Sequence, residues 1–421
     1  MLSAVIISVG DELTLGQTVD TNSAWLSRQL AAMGIDVAGH VTVPDSRPAI
    51  AAAIRQACEA AEVVVVTGGL GPTEDDLTRE ALADAMGVEL VRDESLLAEI
   101  RGFFERLGRA MPPRNEVQAY LPRGARAIPN SRGTAPGIAA TVGRSRVVVM
   151  PGVPKEMYAM WETHVAPELS KLSGGAVVLS RTLHTFGLGE SSVAERLGEL
   201  MARDRNPSVG TTVSHGIVSL RLNVRAETRD EGQRRLDEVE AACRQKLGLL
   251  IFGRDEQTLP QVVGELLRAA RLTVATAESC TGGLIAKYLT DVPGSSAYMH
   301  AGWVCYANAA KVELLGVDAG LIDRHGAVSE VVASAMARGA MRAGTDLAVS
   351  VTGIAGPDGG TPTKPVGTVC IGLAWRGPTG DVVTRERSFL FPGDRETIRD
   401  RAAKTALSLL RFHVLRQPVP F

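Results

Sequence analysis

The sequence predicts an α/β protein in which two doubly wound α/β domains flank a small α+β middle domain. Three observations predict it. Short apolar strands alternate with amphipathic helices over residues 1–172, the signature of a parallel, doubly wound sheet. The same alternation resumes in residues 255–421. Between them, residues 173–254 read as strand, helix, two strands and one long charged helix. A chain of 421 residues is also too long for a single hydrophobic core.

In the first domain, Ala4–Val9 reads as a buried strand, and Asn22 as the cap of a helix that Gly34 stops near Met33. A strand at Val37–Val43 ends before Pro44. A helix then runs from about Pro48 to Ala61, followed by the strand Glu62–Thr67, a helix from Leu77 to Gly87 and the strand Arg146–Met150. The segment PGVPKEM opens a helix reaching about Leu172.

The middle domain begins at the Gly-rich SGGAVV. It holds the strand Ala176–Phe186, a helix from Glu190, the strands Gly210–Ser214 and Ile217–Ala226, and a helix from about Asp230 to Leu247. Arg and Glu dominate its polar positions, as on a solvated face, so a structural or dimerisation role is expected. The third domain starts with an amphipathic helix, Gln257–Arg271, and continues through the strands Leu272–Thr276, Ala301–Tyr306, Leu347–Thr352 and Gly367–Trp375. Its last helix, from about Glu396 to Leu415, carries an apolar stripe of Ile398, Ala402, Leu409 and Phe412.

Composition excludes several function classes. With 45% hydrophobic and 22% charged residues and a formal net charge of −2, no basic surface for nucleic acid or anionic membrane is implied. Aromatic residues, at 4%, are too few for base-stacking platforms. The five cysteines are scattered and form no CxxC pair, which predicts reduced thiols rather than a disulfide frame or a zinc site. No apolar run reaches membrane-spanning length and the chain opens directly on a strand, so a cytoplasmic location is expected.

Four segments of the third domain collect reactive or anion-binding residues at strand ends, where open α/β sheets bind ligands. AESCTGG, Ala277–Gly283, lies between a strand and a helix. It offers Ser279 beside Gly282 and Gly283, at backbone N–H groups that favour an anion. PGSSAYMHAGWVCYANAAK, Pro293–Lys311, contains Ser296, Tyr306 and Lys311. With Asn308 as a helix cap, Lys311 falls in the first turn, where its pKa is expected to drop and let it act as a general base. A serine beside a neutral lysine is a recognised nucleophile pair. In VTGIAGPDGG, Thr352, Gly353 and the loop amides can cradle an oxyanion or a sugar. In PGDRETIRDR, Asp394 reads as an N-cap, placing Arg395 to hold a phosphate. Each segment also has a plain structural reading: a capping turn, a surface lysine with a core tyrosine, a solvated arginine. His300 and His325 sit in no triad or metal-ligand spacing and read as core or surface histidines.

Taken together, AESCTGG, GSSA–YxNxAK, TGIAGPDGG–KPVGTV and GDR resemble the C-terminal domain of the CinA competence/damage-inducible family, over about Thr258–Phe412. That domain is similar to the bacterial nicotinamide mononucleotide deamidase PncC. The resemblance implies hydrolysis of the carboxamide of nicotinamide mononucleotide by a Ser/Lys mechanism without a cofactor, with Ser279, Ser296, Tyr306, Lys311, Thr352 and Arg395 as the matching positions. Ser296, sharing a segment with Lys311 and Tyr306, is the favoured nucleophile, and Ser279 an orienting group. Cys305 and Ala307 stand where the family commonly has hydroxyl residues.

The first domain also gathers polar residues after strands, in GDELTLGQTVDTN, TGGLGPTEDDLT and PGVPKEM. Gly68, Gly69 and Gly71 suit a pyrophosphate, Lys155 can neutralise a phosphate, and Glu12, Asp75 and Asp76 suit a hard divalent cation. Equally, such glycine loops and Asp–Asp pairs often only cap helices. From GDEL to PGVPKEM, over roughly Met1–Leu172, the sequence resembles the molybdopterin-binding MoaB/MogA-like fold as it occurs in CinA proteins. The resemblance implies metal-dependent hydrolysis of ADP-ribose to AMP and ribose 5-phosphate, with Mg, Mn or Co and room for a monovalent cation. Together with the small middle domain it implies a homodimer acting on these two nucleotides, while the composition points to neither nucleic acid nor membrane as partner. The competing expectations are a deamidase whose first domain binds a molybdopterin or nucleotide without turnover, and a non-catalytic partner in DNA uptake or repair.

Overall fold

The computed structural model describes residues 2–172 and 177–420. Its contacts divide the chain into two compact units, residues 1–180 with 223–237 and residues 181–222 with 238–421.

The first unit is built on a six-stranded sheet of order β2-β1-β3-β8-β7-β6. Its strands are β1 (Ser3–Val9), β2 (Asp36–Val43), β3 (Val63–Thr67), β6 (Arg126–Ile128), β7 (Gly137–Val142) and β8 (Ser145–Met150), while β4 (Leu90–Arg92) and β5 (Tyr120–Pro122) form a separate pair. The strand β3, all β-branched, is buried along its whole length. Val64 and Val66 point into one apolar layer with Ile54 and Ile138, and Val63 and Val65 into the other with Leu26 and Trp161. β2, β1, β3 and β8 run parallel, but β7 pairs antiparallel with both β8 and β6, so the sheet is mixed rather than wholly parallel. The cause is the tight β7–β8 hairpin, in which Val142 pairs with Ser145 and Gly143 has φ 59°. Only antiparallel strands can be joined by so short a loop.

Local chemistry also moves one helix boundary. Asp20, not Asn22, caps the helix Thr21–Ala32 by accepting from Ser23 N at 2.9 Å. Asn22 lies inside the first turn and its Nδ2 donates to the Gly152 carbonyl at 2.8 Å, tying together two strand-end loops. The helix expected to reach Leu172 is interrupted by a π-helical turn at Trp161–Val165. The predicted strand start at Ala176 lies outside the described residues.

The second unit centres on a five-stranded sheet of order β14-β13-β15-β16-β17: β13 (Val274–Glu278), β14 (Met299–Val304), β15 (Leu347–Gly353), β16 (Thr368–Arg376) and β17 (Val382–Leu390). Here too β14, β13 and β15 are parallel, while β16 pairs antiparallel with both β15 and β17. The helix Leu259–Ala270 begins with a capping box between Thr258 and Gln261, and the helix Arg395–Val414 buries Ile398, Ala402, Leu410 and Phe412 against the sheet. Leu409 of the expected stripe is only half-buried at that core. The strands β9 (Val177–Phe186), β10 (Ser208–Ser214), β11 (Ile217–Ala226) and β12 (Ile251–Arg254) form a sheet of order β10-β11-β9-β12. All five cysteines are free and buried, and no described helix is long and apolar enough to cross a membrane.

Candidate active site

The reactive turn grows out of β13. Ser279 N donates to Val351 O at 2.9 Å, which keeps Ser279 on the sheet at the carboxyl end of the parallel strands. The chain then turns sharply. Gly282 N closes back on Ser279 O at 3.1 Å, and Gly282 and Gly283 adopt φ of 63° and 91° before the helix Leu284–Thr290. A side chain is strained at such angles, which accounts for the glycine pair. The buried Glu278 carboxylate accepts from Ile285 N at 3.0 Å and Ala286 N at 2.8 Å, so the residue before the serine caps the helix after it.

Lys311 enters from the helix Asn308–Leu315. Its N-cap is Ala307, one residue earlier than expected, and Lys311 is 1% exposed. Its Nζ lies 2.9 Å from Cys305 O, 3.0 Å from Tyr306 O and 3.2 Å from Ser279 Oγ. Burial pushes its pKa below the ordinary lysine value, so the direction agrees with expectation but the cause is desolvation rather than the helix end. Nearby thiols offer no compensating charge, since burial drives Cys280 up to about 12. A neutral amine fits this cage: two N–H bonds to the carbonyls leave the lone pair facing the Ser279 hydroxyl.

Ser296 is not part of this cluster. It is exposed in a short helical turn before β14, whereas Lys311 follows β14. The five steps from Met299 to Val304 alone separate the two ends of the strand by roughly 16 Å at about 3.3 Å per residue. Sequence proximity misled because an extended strand carries neighbours in the chain to opposite edges of the sheet.

Arg395 and Tyr306 form a second pair. Asp394 caps the last helix by accepting from Thr397 N at 2.8 Å, as expected. Arg395 then donates through one nitrogen to Gly356 O and through another to Tyr306 Oη, both at 2.7 Å. Tyr306 is 58% exposed; its carbonyl, rather than its hydroxyl, meets Lys311. Thr352, buried at the end of β15, donates to Ala327 O at 2.9 Å and braces a loop. At Gly353 a Cβ would meet Cys280 Sγ at 3.0 Å, so the glycine permits the close approach of β15 to the reactive turn.

In the first unit, a cavity of about 440 Å³ lies at the strand ends and is lined by Glu12, Asp45, Gly68, Gly69, Gly71, Asp75 and Asp76, among others. The loop is rigid: Thr78 Oγ1 donates to Gly68 O at 2.9 Å, and the buried Arg79 donates to Leu70 O at 2.9 Å. Asp76 is spent on the loop itself, accepting from Gly71 N at 2.8 Å and Thr73 N at 2.9 Å. Lys155 is exposed on the helix Pro154–Met160 and does not line this cavity. Asp45 is held above the usual aspartate range by burial and by repulsion from Asp11, Glu12 and Asp75. Among the described residues, no three His, Cys, Asp or Glu side chains converge as a metal site, so Glu12, Asp75 and Asp76 are not gathered into one.

Three family profiles tile the chain. Residues 5–171 match a probable molybdopterin binding domain, 180–253 the damage-inducible protein CinA KH domain, and 256–414 the CinA C-terminal domain. A competence-damage inducible protein of Symbiobacterium thermophilum is 48% identical over 420 residues, covering 98% of this chain and 99% of its own. The chain belongs to the CinA family. A CinA-like protein of Dictyoglomus thermophilum is 43% identical, covering 96% of this chain and 98% of its own. Among solved structures, CinA from Thermoplasma acidophilum is 39% identical over 39% of this chain and 96% of its own, with a TM-score of 0.37.

Within this CinA protein, several site residues lie inside or near the quoted segments without a role that their spacing reveals. Glu278 and Arg399 read as an ordinary strand end and helix surface, yet Arg399 Nε and one terminal nitrogen reach Cys280 O at 3.0 Å and Thr281 O at 2.9 Å. The i, i+4 spacing of Arg395 and Arg399 was the one available signal, because it puts both on one helix face. Asp45 and Arg79 are brought to the first cavity and its loop only by the fold.

Proposed function

We propose that the C-terminal domain hydrolyses the carboxamide of nicotinamide mononucleotide to nicotinic acid mononucleotide and ammonia. The Ser279–Lys311 contact at 3.2 Å carries this reading, because a buried amine with depressed basicity beside a hydroxyl is a nucleophile and its base. Ser279 Oγ bonds to the carboxamide carbon while its proton passes to Lys311 Nζ. The tetrahedral oxyanion then collapses, the C–N bond breaks, and nitrogen leaves as ammonia with the proton Lys311 held. Water, deprotonated by the same amine, adds to the acyl carbon and releases Ser279 and the acid. Arg395, with Tyr306 oriented beside it, would hold the 5′-phosphate, and Gly282, Gly283, Gly353 and Thr352 shape the cleft. This revises the nucleophile from Ser296 to Ser279, and gives Tyr306 a substrate-binding role. Incubation with nicotinamide mononucleotide should release ammonia stoichiometrically; intact protein that releases none sinks the proposal.

For the N-terminal domain we propose metal-dependent hydrolysis of the pyrophosphate of ADP-ribose, giving AMP and ribose 5-phosphate. Its glycine loop exposes a strand-end cavity suited to a pyrophosphate. Glu12, Asp45 and Asp75 line this cavity without converging on one point; as hard oxygen donors they would hold Mg, Mn or Co through one or two carboxylates completed by water and substrate phosphates, with a monovalent cation admissible beside them. Such an ion would supply Lewis-acid polarisation of the phosphoryl oxygens. The commitment of Asp76 to its own loop favours a second reading, a nucleotide or molybdopterin binder without turnover. AMP formation from ADP-ribose across these metals supports the first; tight binding without AMP supports the second.

The reading extends to a cytoplasmic homodimer without nucleic-acid or membrane partners. KH modules grip nucleic acid through a GxxG loop, and residues 180–253 contain no such sequence. Sedimentation at micromolar concentration tests the dimer.

A further inference from the structure

The clamp that Arg399 places on the reactive turn has a chemical consequence. Its two nitrogens grip consecutive carbonyls, Cys280 O at 3.0 Å and Thr281 O at 2.9 Å, from the helix whose first residue, Arg395, reaches Gly356 O. In a trans peptide the N–H of the next residue points opposite to the carbonyl. Turning the Cys280 carbonyl onto Arg399 therefore turns the Thr281 N–H away from it. Similarly, the Ser279 carbonyl is taken by Gly282 N at 3.1 Å, which directs the Cys280 N–H to the other side of the turn. Among the described residues, the Thr281 N–H has no backbone acceptor, and the Cys280 N–H meets only its own Sγ. These are the two amides that follow Ser279, and the N–H after a nucleophile is a recurrent oxyanion donor in strand-to-helix turns.

We propose that the backbone N–H groups of Cys280 and Thr281 form the oxyanion hole of the Ser279 reaction and that Arg399 is the positioning residue that holds them in place. The assignment rests on Ser279 being the nucleophile. Gly282 belongs to the same device: a Cβ there would sit 3.0 Å from the Arg399 guanidinium, so a side chain would push the clamp off the turn. Arg399 does not touch substrate. It aims dipoles at the place where charge develops, and such donors typically contribute about 10²–10³-fold in kcat.

The test uses the full chain and two reactions. Wild type, Arg399→Ala and Arg399→Lys are compared for deamidation of nicotinamide mononucleotide, and for labelling of Ser279 by an alkyl fluorophosphonate, whose phosphoryl oxygen needs the same donors but not the nucleotide. Arg399→Ala should lose about 10²-fold in kcat with KM within about threefold, and its labelling should slow in parallel. Arg399→Lys, which can still reach one carbonyl, should recover part of both rates, and added methylguanidinium should partly restore Arg399→Ala. A kcat in Arg399→Ala within about threefold of wild type overturns the inference. So does a loss matched by a fall in Tm that neither lysine nor methylguanidinium reverses. Wild type that is labelled yet releases no ammonia removes the substrate assignment alone, leaving the labelling rates to decide Arg399; wild type that is not labelled at Ser279 overturns both.

Discussion

The two strand-end sites of this CinA protein are built on the same plan and finished differently. Each lies at the carboxyl ends of parallel strands beside a glycine turn, Gly68–Gly71 in one and Gly282–Gly283 in the other. In the C-terminal site the charge-bearing group is already desolvated: Lys311 is 1% exposed and caged by two carbonyls and a serine. In the N-terminal site Glu12 and Asp75 stay toward solvent, Asp45 is only partly screened, and they repel one another. For the proposed deamidation, the first site would need no group beyond its own side chains. The second has surplus negative charge, which suits a site that waits for a cation.

The largest break in that comparison should come from chelation. Removing divalent metal should abolish ADP-ribose hydrolysis and leave deamidation unchanged, as followed by AMP and ammonia release; equal loss of both would erase the contrast. Next, Ser279→Ala and Lys311→Met should each lower deamidation at least about 10³-fold, while Ser296→Ala stays within about twofold. In Lys311→Met, removing a buried amine whose charged form is disfavoured opposes the loss of its two carbonyl partners, so Tm should change little. A lower Tm in Lys311→Met would show that losing the two bonds to Cys305 O and Tyr306 O outweighs removal of the buried amine.

The pH dependence has a definite sign. The folded pKa of Lys311 lies below its unfolded value, so the unfolded state binds more protons between the two and stability rises with pH across that window. Activity should rise in the same direction, as the amine loses its proton, with a midpoint below the ordinary lysine value of about 10.4. A smaller effect is expected from Arg395→Met. Loss of one phosphate contact should raise KM about tenfold with little change in kcat, roughly 1.4 kcal/mol. A fall in kcat alone would move Arg395 from binding to chemistry.

Much of this contrast was legible in the residues. Period-2 and period-3.6 patterns located β1, β3, β8 and the last helix to within a residue or two, and the ordered motifs singled out Ser279, Lys311 and Arg395. The misses share a cause. Asn22 and Asp20 are both competent caps, and only the backbone decides which one precedes the helix. Asp76 looks like a ligand until its oxygens are counted against Gly71 and Thr73. β17 and the helix Glu330–Ala340 went unread because exposed arginines break the alternation of one and small residues blunt the periodicity of the other.

The sequence by itself determined the layered α/β architecture, the family and the stock of reactive residues, because periodicity, glycine turns and motif order are local properties. Only the tertiary structure decided which serine meets the lysine. Pairing β13 with β14 in parallel register brings Cys305 beside Glu278, and so sets the helix bearing Lys311 against Ser279 rather than Ser296. Partnership across a sheet depends on register and strand direction, and neither is written in the spacing of residues along one chain.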